Sequence, residues 1–563
     1  MSSHEQNNKF ETFIYKILEN RFKKFLVIFL VALSFFGSIM MIPNKTVLVR
    51  MLPSKSANTF NVYIDTLIGS SIEETKAVTE CVTSIIQKEK EVTDIESYFA
   101  EGSPLDYAGL VKGSALKDGE QYAEIVVNLT DLHERKEKSF DIVHRLRPVI
   151  QENCEPLTKA TSIRMIEMPA GPPMLASIVV ELFGENNKKL IDLSKEVASI
   201  LDITDGLVDI DIMADHSYEE YQIKLNTEKV TRSGLDVTQI NNIIYLAFQG
   251  VNVAVKSSMS SNNQIPIYVQ LSEDSQTLDD NTLENLQLKL SSLKLMNKQG
   301  MMIPLTEVAT IKKTKSDPMI YHKDLKNMVN VTAETDMVSQ VYPLLAARDT
   351  MIEFFSYEFE VTEQLGLSTY MFDLKLKDKQ TGENYLIRWD GEMKVSLDTF
   401  RDLGTAFIAA LMLIFIVFVI YYQSFTISSI ILGGSFLSII GVIVGHWIAD
   451  MFTVGTFFLT ATSLIGFISL MGISSRNSLL MVDFTKSLIE DKGIEKRRAI
   501  AVASATRAKP IMLTAIAIIL GSALLTSDPV FGGLGVALIS GTVAAVIISL
   551  IFIPVLMDNT KAI

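Results

Sequence analysis

The sequence is short of the residues that build metal and redox centres. It holds six histidines and two cysteines among 563 residues, and no Cys-x-x-Cys or His-Glu-x-x-His spacing occurs. No built-in metal cofactor is therefore expected. Basic clusters of the kind that grip phosphate are also lacking. The net charge is −14 and the lysines and arginines are dispersed, which sets aside a nucleic-acid partner. The nearest approach to a phosphate loop, Gly250-Val-Asn-Val-Ala-Val-Lys-Ser257, lacks the second glycine, so ATP is excluded as a direct fuel. There is no nucleophile elbow and no carboxylate pair on a recognisable scaffold, so an enzyme is not expected.

What the sequence has in abundance is apolar residues, 48% of the chain, and they are unevenly placed. Phe25 to Ile42 is an uncharged run long enough to span a bilayer. It is preceded by Lys9, Lys16, Arg21, Lys23 and Lys24 and followed by Ile-Pro-Asn-Lys, not by a small-x-small cleavage site, which reads as an uncleaved span behind a cytoplasmic stretch 1–24. Five more apolar segments follow: Leu403 to Tyr422, Ile427 to Ala449, Val454 to Val482, Ile511 to Thr526 and Leu534 to Met557. Lys486, Lys492, Lys496, Arg497, Arg498, Arg507 and Lys509 lie between the fourth and fifth segments, a cytoplasmic signature. Both termini are then cytoplasmic, the chain sits in a bacterial inner membrane, and the loop Asn44 to Asp402 is periplasmic. Phe484 to Ser504 reads as an amphipathic helix on the cytoplasmic surface.

Within the loop the hydrophobic period switches between two and 3.6, the mark of mixed sheet and helix. One unit, 44–168, runs as strand (Asn58 to Thr66), helix (Ser71 to Lys88), strand (Thr93 to Phe99), strand (Tyr122 to Leu129), helix (Ser139 to Glu152) and strand (Ser162 to Glu167), the ferredoxin-like βαββαβ order. A second unit, 174–400, opens with Ala176 to Phe183, Lys188 to Leu201 and Val208 to Met213, and closes after an insertion near Asn327 to Thr335. Met168-Pro-Ala-Gly-Pro-Pro173 between them is a stiff connector. The fold class is an α+β membrane protein: six transmembrane helices and two sandwiches.

The string Ala461 to Phe484, with Gly472-Ile-Ser-Ser-Arg-Asn-Ser478 at its centre, resembles the fourth helix of the C-terminal repeat in resistance-nodulation-division (RND) efflux permeases of the acriflavine-resistance type. Arg388-Trp-Asp-Gly-Glu392, Arg507-Ala-Lys-Pro510, Asp528-Pro-Val-Phe531, His133-Glu-Arg-Lys136 and Glu167-Met-Pro-Ala-Gly-Pro-Pro173 resemble the same family in the same order. The similarity covers nearly the whole chain, yet it matches one repeat of a two-repeat, twelve-span protein. The resemblance implies a trimeric pump driven by the proton-motive force, working with a periplasmic adaptor and an outer-membrane channel. Its two sandwiches would be porter subdomains, and the insertion from about Val251 to Leu293 a share of the channel-docking domain. The partner half would carry an intramembrane carboxylate pair, and the cargo would be small amphiphilic or toxic molecules.

Arg476 is the one strongly charged residue well inside a span, where an ionisable group costs on the order of 3 kcal/mol. It either snorkels to the headgroups or, as the resemblance implies, is the fixed cation facing the partner's carboxylates, with Asn477 beside it. Moving a cation past a carboxylate in low dielectric toggles proton uptake, and Arg acts by position only because it keeps its proton. The resemblance adds Arg507 and Thr514 to the relay; their plainer roles are a positive-inside anchor and an interhelical hydrogen bond. No span carries an acidic residue near its centre. Asp450, Asp483 and His446 fall near span ends, where water reaches. Gly433, Gly434, Gly441 and Gly445 are read as helix-packing residues.

The segment Tyr98 to Leu110 resembles the flexible loop lining the drug pocket of multidrug members. Tyr98, Phe99, Tyr107 and Leu110 are the pocket candidates, the alternative being core strand ends capped by a turn. The 24 methionines are read as core filling rather than soft-metal ligands. Cys81 and Cys154 share the outer loop, and pairing requires Cα atoms within roughly 6 Å. Two rival readings stay open: a six-span protein-translocation accessory of the same superfamily, and an inactive or truncated paralogue.

Overall fold

The computed structural model describes residues 9–52, 56–104, 107–114, 117–158, 161–167, 174–214, 218–260, 264–272, 283–316, 319–364, 372–453 and 457–562. The connector Met168 to Pro173 and residues 454–456 lie outside them. The chain forms two compact units, Met1–Met213 with Tyr321–Ile563, and Ala214–Ile320.

Among the described residues, the first unit holds six helices long and apolar enough to cross a membrane: Arg21–Met40, Glu392–Tyr422, Phe425–Phe452, Ala461–Glu490, Lys496–Ser527 and Gly532–Asn559. The third is broken in two, Phe425–Phe436 and Ile439–Phe452. Three of its four glycines are packing residues. A Cβ at Gly434 would meet Ile553 Cδ1 at 2.2 Å, one at Gly441 would meet Ser540 O at 2.4 Å, and one at Gly445 would meet Ser540 Oγ at 2.1 Å, whereas Gly433 faces open space. An additional amphipathic helix, Lys9–Glu19, precedes the first span. Its Ile14, Ile17 and Leu18 close the bundle end away from the sheets, against Phe418, Ile427, Met481, Ile500 and Ile553.

Three boundaries differ from the sequence reading. The second span starts at Glu392, directly after a sheet strand ending at Asp390. Gly391 makes that corner with φ +82°, and a Cβ there would meet Ala176 O at 2.6 Å, so the position needs glycine. The fourth span begins at Ala461, where Thr460 and Ser463 form a reciprocal capping box, and not at Val454. Finally, Phe484 to Ser504 is no separate surface helix. Its first part ends the fourth span, Gly493 (φ +63°) turns the chain, and Lys496 already opens the fifth. The reason is packing: Ala499 and Ala503 are buried against Leu488, which makes the apolar face of that amphipathic stretch a helix-helix contact.

Four strands, β1 (Thr59–Asp65), β2 (Val92–Glu101), β3 (Asp118–Leu129) and β4 (Ser162–Glu167), form one antiparallel sheet in the order β2-β3-β1-β4. Helices Ile72–Ile86 and Ser139–Cys154 cover it, the first started by a Ser71/Glu74 capping box. Val78, Val82, Ile142, Leu146 and Ile150 meet Phe60, Val62, Ile125 and Met165 in the core. Cys81 and Cys154 are bonded across the two helices, with Cα atoms 5.8 Å apart.

A second sheet has seven strands. Lys326–Thr335 pairs with both β5 (Ile178–Phe183) and β6 (Leu207–Met213). The sheet does not close there, as the sequence reading had it. Beyond β5 it continues through Asn384–Asp390, Leu374–Asp378 and Phe359–Glu363, whose alternate residues Leu374, Leu376, Tyr385, Ile387 and Trp389 are buried as period-two strands require.

The second unit, Ala214–Ile320, is larger than the expected Val251 to Leu293 insertion. Residues on both sides of that range share its core: Val230, Leu235 and Ile240 with Leu286, Leu290, Leu305 and Val308. Glu219–Leu225 pairs with Ala309–Lys315, and Val251–Lys256 with Ile265–Val269 forms a hairpin exposed on both faces.

Candidate functional site

The fourth span sorts its residues by face. Ser463, Gly466, Phe467, Leu470, Ser474, Asn477, Ser478 and Met481 are buried, most of them at helical spacing. Ile465, Ser469, Gly472, Arg476 and Leu480 are exposed, and the intervals of four, three, four and four place them on one stripe. The Arg476 side chain makes no hydrogen bond or ion pair with any described residue. A Cβ added at Gly472, one turn away, would meet nothing within 4 Å. A serine, a glycine and an arginine on an uncovered stripe do not match the uniformly apolar surface a lipid-facing helix presents. The second span does present such a surface, with Ile408, Met412, Leu413, Ile416, Val417 and Ile420 exposed; the fifth exposes Met512, Leu513, Ile516 and Leu520 with Thr514 and Gly521 among them.

The four relay candidates are not brought together within this chain. Arg476 faces outward while Asn477, its neighbour, is buried. The Arg507 guanidinium carbon lies 4.9 Å from the Phe484 ring centroid, a cation–π contact between the fifth and fourth spans. Thr514 is exposed, and its hydroxyl donates to Pro510 O at 3.2 Å and Ile511 O at 2.9 Å in its own helix. This bond is not interhelical; it occupies carbonyls beside Pro510, which runs inside the helix.

The pocket candidates divide in the same way. Phe99 packs against the first sheet's core. The Tyr98 hydroxyl donates to Glu96 at 2.6 Å, and Leu110 is 52% exposed on the short helix Tyr107–Lys112; the Tyr107 side chain lies outside the described residues. The segment is held at Ser103 and just past Leu110. Buried Glu124 accepts from Ser103 N at 2.8 Å and from Asn61 at 2.7 Å, and Lys112 pairs with Glu334 of the second sheet at 2.5 Å.

A family model described as AcrB/AcrD/AcrF matches residues 2–558. The chain belongs to that family. It is 21% identical over 548 residues to the swarming motility protein SwrC of Bacillus subtilis, covering 95% of this chain and 46% of that protein. It is 22% identical over 412 residues to the cobalt-zinc-cadmium resistance protein CzcA of Cupriavidus metallidurans, covering 72% and 35%. Two crystal forms of a heavy metal efflux pump superpose with TM-scores of 0.72 and 0.70 at 14% and 15% identity, covering 99% and 98% of this chain and 52% of theirs. The chain thus spans about half the length of the family relatives it matches, or less.

Two features of this AcrB/AcrD/AcrF-family chain escaped the sequence reading. At the bundle end away from the sheets, Asp558 accepts from Lys24 at 2.7 Å and lies 3.3 Å from Arg497 Nε, and the Tyr422 hydroxyl donates to Asp483 at 2.6 Å. Between the two sheets lies a cluster of charges. Arg164 of β4 bridges Asp65 of β1 and Asp211 of β6. Arg147 reaches Asp209 of β6 at 3.2 Å and Asp336 at 3.0 Å, and His144 lies 2.6 Å from Asp336. Burial pushes the Asp209 carboxyl up to about 6 against the pull of Arg147, and desolvation pushes Glu167 up to about 7. Burial acts on Asp65 too, but Arg164 and Lys117 outweigh it and hold that carboxyl below its usual range. The signal for the cluster was four acidic residues at strand positions, Asp65, Glu167, Asp209 and Asp211, with Arg164, in strands of mostly apolar residues.

Proposed function

We propose that this chain is one six-span half of a proton-driven RND efflux permease in an inner membrane, with its sheets in the periplasm. Arg476 is the fixed cation it presents to a companion half. The carrying observation is the stripe of the fourth span: a cation beside Ser469 and Gly472, uncovered in this chain, in the layer where an unpaired charge costs several kcal/mol. A facing carboxylate pair from the companion would offset that cost and would gain or lose protons as the guanidinium approaches or withdraws. The two sheets would serve as porter subdomains of ferredoxin-like type, and the Ala214–Ile320 unit would contribute to docking in a trimer that engages an adaptor and an outer-membrane channel. Small amphiphilic molecules are the proposed cargo, admitted past the Tyr98 to Leu110 segment.

A second cargo reading comes from the relatives, whose names include cobalt-zinc-cadmium resistance and heavy metal efflux; here a divalent cation would be the substrate. One experiment addresses both. The chain is expressed with and without a companion half carrying intramembrane carboxylates, and membrane yield, co-purification and export of dyes and of zinc or cobalt are measured under an imposed proton gradient. Export only by the pair supports the half-permease reading, and the cargo exported selects between substrates. Gradient-driven export by this chain alone would falsify it.

A further inference from the structure

His446 sits in the third span with no exposed surface, although its place near the span end had read as close to water. Both ring nitrogens are engaged. Nδ1 lies 2.7 Å from Val442 O of its own helix, and Nε2 lies 2.8 Å from Ser463 Oγ of the fourth span. From Ser463 the contacts run on: Ser463 Oγ to Thr460 Oγ1 at 2.9 Å, Thr460 Oγ1 to Thr462 Oγ1 at 2.8 Å, and Thr462 Oγ1 to Val530 O at 3.1 Å, just ahead of the sixth span. Gly533 lets that span approach, since a Cβ there would meet Ser463 Oγ and Thr460 Oγ1 at 2.4 Å.

The hydrogens in this chain can be counted. Each end is a carbonyl, which only accepts, and each hydroxyl owns one hydrogen. The five contacts from Val442 O to Val530 O need five hydrogens. Three hydroxyls and a neutral imidazole supply four, so with neutral His446 one pair of oxygens or one nitrogen–oxygen pair is left without a hydrogen between them. An imidazolium supplies the fifth. The direction is then uniform: Nδ1–H to Val442 O, Nε2–H to Ser463, Ser463 to Thr460, Thr460 to Thr462 and Thr462 to Val530 O. Ser463 and Thr460 also accept from each other's backbone N–H, at 3.1 and 3.3 Å, which fills both acceptor positions of each hydroxyl.

We propose that His446 is a proton-binding site whose protonation closes this hydroxyl chain, clasping the third span, the fourth and the turn before the sixth. The site is independent of the function proposed above. A buried charge is costly, and the completed contacts are what offset it. The charged groups around it are few. Asp450, on the same helix, accepts from Phe457 N at 2.6 Å, and the Phe457 ring lies 5.6 Å from the imidazole. Asp528 caps the turn at Val530 N and Phe531 N, and Arg50 lies over the Phe458 ring at 5.5 Å. On the fourth span the first charge after Ser463 is Arg476, the Gly532–Ile547 helix has none, and those of the first span, Arg21, Lys23 and Lys24, are at its far end. The clasp adjoins the junction with the sheets, because Leu459 pairs with Val49 and Ala461 N donates to Met51 O.

The test is solid-state NMR of the full chain in lipid bilayers with ring-15N histidine, His446 being assigned by its loss in His446→Gln. The imidazolium signal should grow as pH is lowered from about 8 to about 5. Thr462→Val removes a hydroxyl that does not touch the imidazole; three contacts remain, and two hydroxyl hydrogens with the one on the ring fill them, so neutral His446 is satisfied. The ratio of imidazolium to neutral ring at a given pH should fall about ten-fold, the worth of one hydrogen bond, and Thr462→Ser should restore it. A neutral Nδ1–H ring across the whole range, or a Thr462→Val spectrum equal to wild type, overturns the proposal.

Discussion

The charge cluster between the sheets gives the soluble part a pH dependence opposite to ordinary acid denaturation. Asp209 is buried at side-chain level, and its carboxyl rises from 3.8 to about 6. A raised acid binds its proton more tightly in the folded state, so its stabilising contribution is complete below pH 3.8 and is lost as pH rises through 6. At about 1.4 kcal/mol per unit the total is about 3 kcal/mol, roughly half of it lost between pH 5 and pH 8. Glu167, raised to about 7, acts in the same direction. Asp65 and Glu334 are held low by Arg164 and Lys117 and by Lys112; their contributions fail only as pH falls below the ordinary carboxylate range, outside that window. The chain has two tryptophans. Trp447→Phe leaves Trp389, which is buried in the sheet that contains Asp209. Urea titration of this protein in detergent, followed by Trp389 fluorescence, should show lower stability at pH 8 than at pH 5. Asp209→Asn should remove the Asp209 share, since the amide keeps the shape and tolerates the left-handed backbone at φ +54°. A stability that is flat or rises with pH, or an Asn variant with the full wild-type slope, refutes the reasoning.

In a pump containing this chain, Arg476→Ala should abolish proton-coupled export without loss of assembly, whereas Arg476→Lys should keep part of it because the charge survives; wild-type export by the Ala variant would favour snorkelling. Replacing both Cys81 and Cys154 by Ser should cost about 4 kcal/mol in the same urea titration, the loop-closure value for a separation of 73 residues. Gly391→Ala should lower stability by about 1–3 kcal/mol, because it places a Cβ against Ala176 O at positive φ, while Gly433→Ala, which faces open space, serves as the control. A membrane-impermeant thiol reagent applied to spheroplasts should label a cysteine placed at Lys117 and not one at Lys492, if basic residues mark the cytoplasmic side.

What was legible in the sequence follows the reach of each signal. Apolar runs and the switch between periods of two and 3.6 are local, and they locate the six helices and the alternation of strand and helix from Thr59 to Glu167. They say nothing about which strands become neighbours, so the extension of the second sheet past Thr335 and the bond between Cys81 and Cys154 had to come from the structure. Amphipathicity likewise marks a face and leaves its partner unnamed. The apolar face of the 484–504 stretch reads equally as a membrane-surface face or as the contact Ala499 and Ala503 make with Leu488.

Depth along a helix places His446 near water and Arg476 far from it, whereas the structure separates them by what covers each side. His446 lies near a span end, yet the Phe457 ring sits beside the imidazole and the next helix opens at Ala461, capped by Thr460, with hydroxyls facing inward. Arg476 is deeper in its span, yet it stands on the face this chain leaves bare. Depth measured in residues fixes how far a side chain must reach for water, but the cost of its charge is set by the groups around it. In the sequence those groups are visible only as the hydroxyl run Thr460-Ala-Thr-Ser463 for the histidine and the Ser469, Gly472 and Arg476 spacing for the arginine. A polar residue recurring at helical spacing inside an apolar span is therefore the more informative signal, because it names the face that must find a polar partner, whether that partner is in the same chain or outside it.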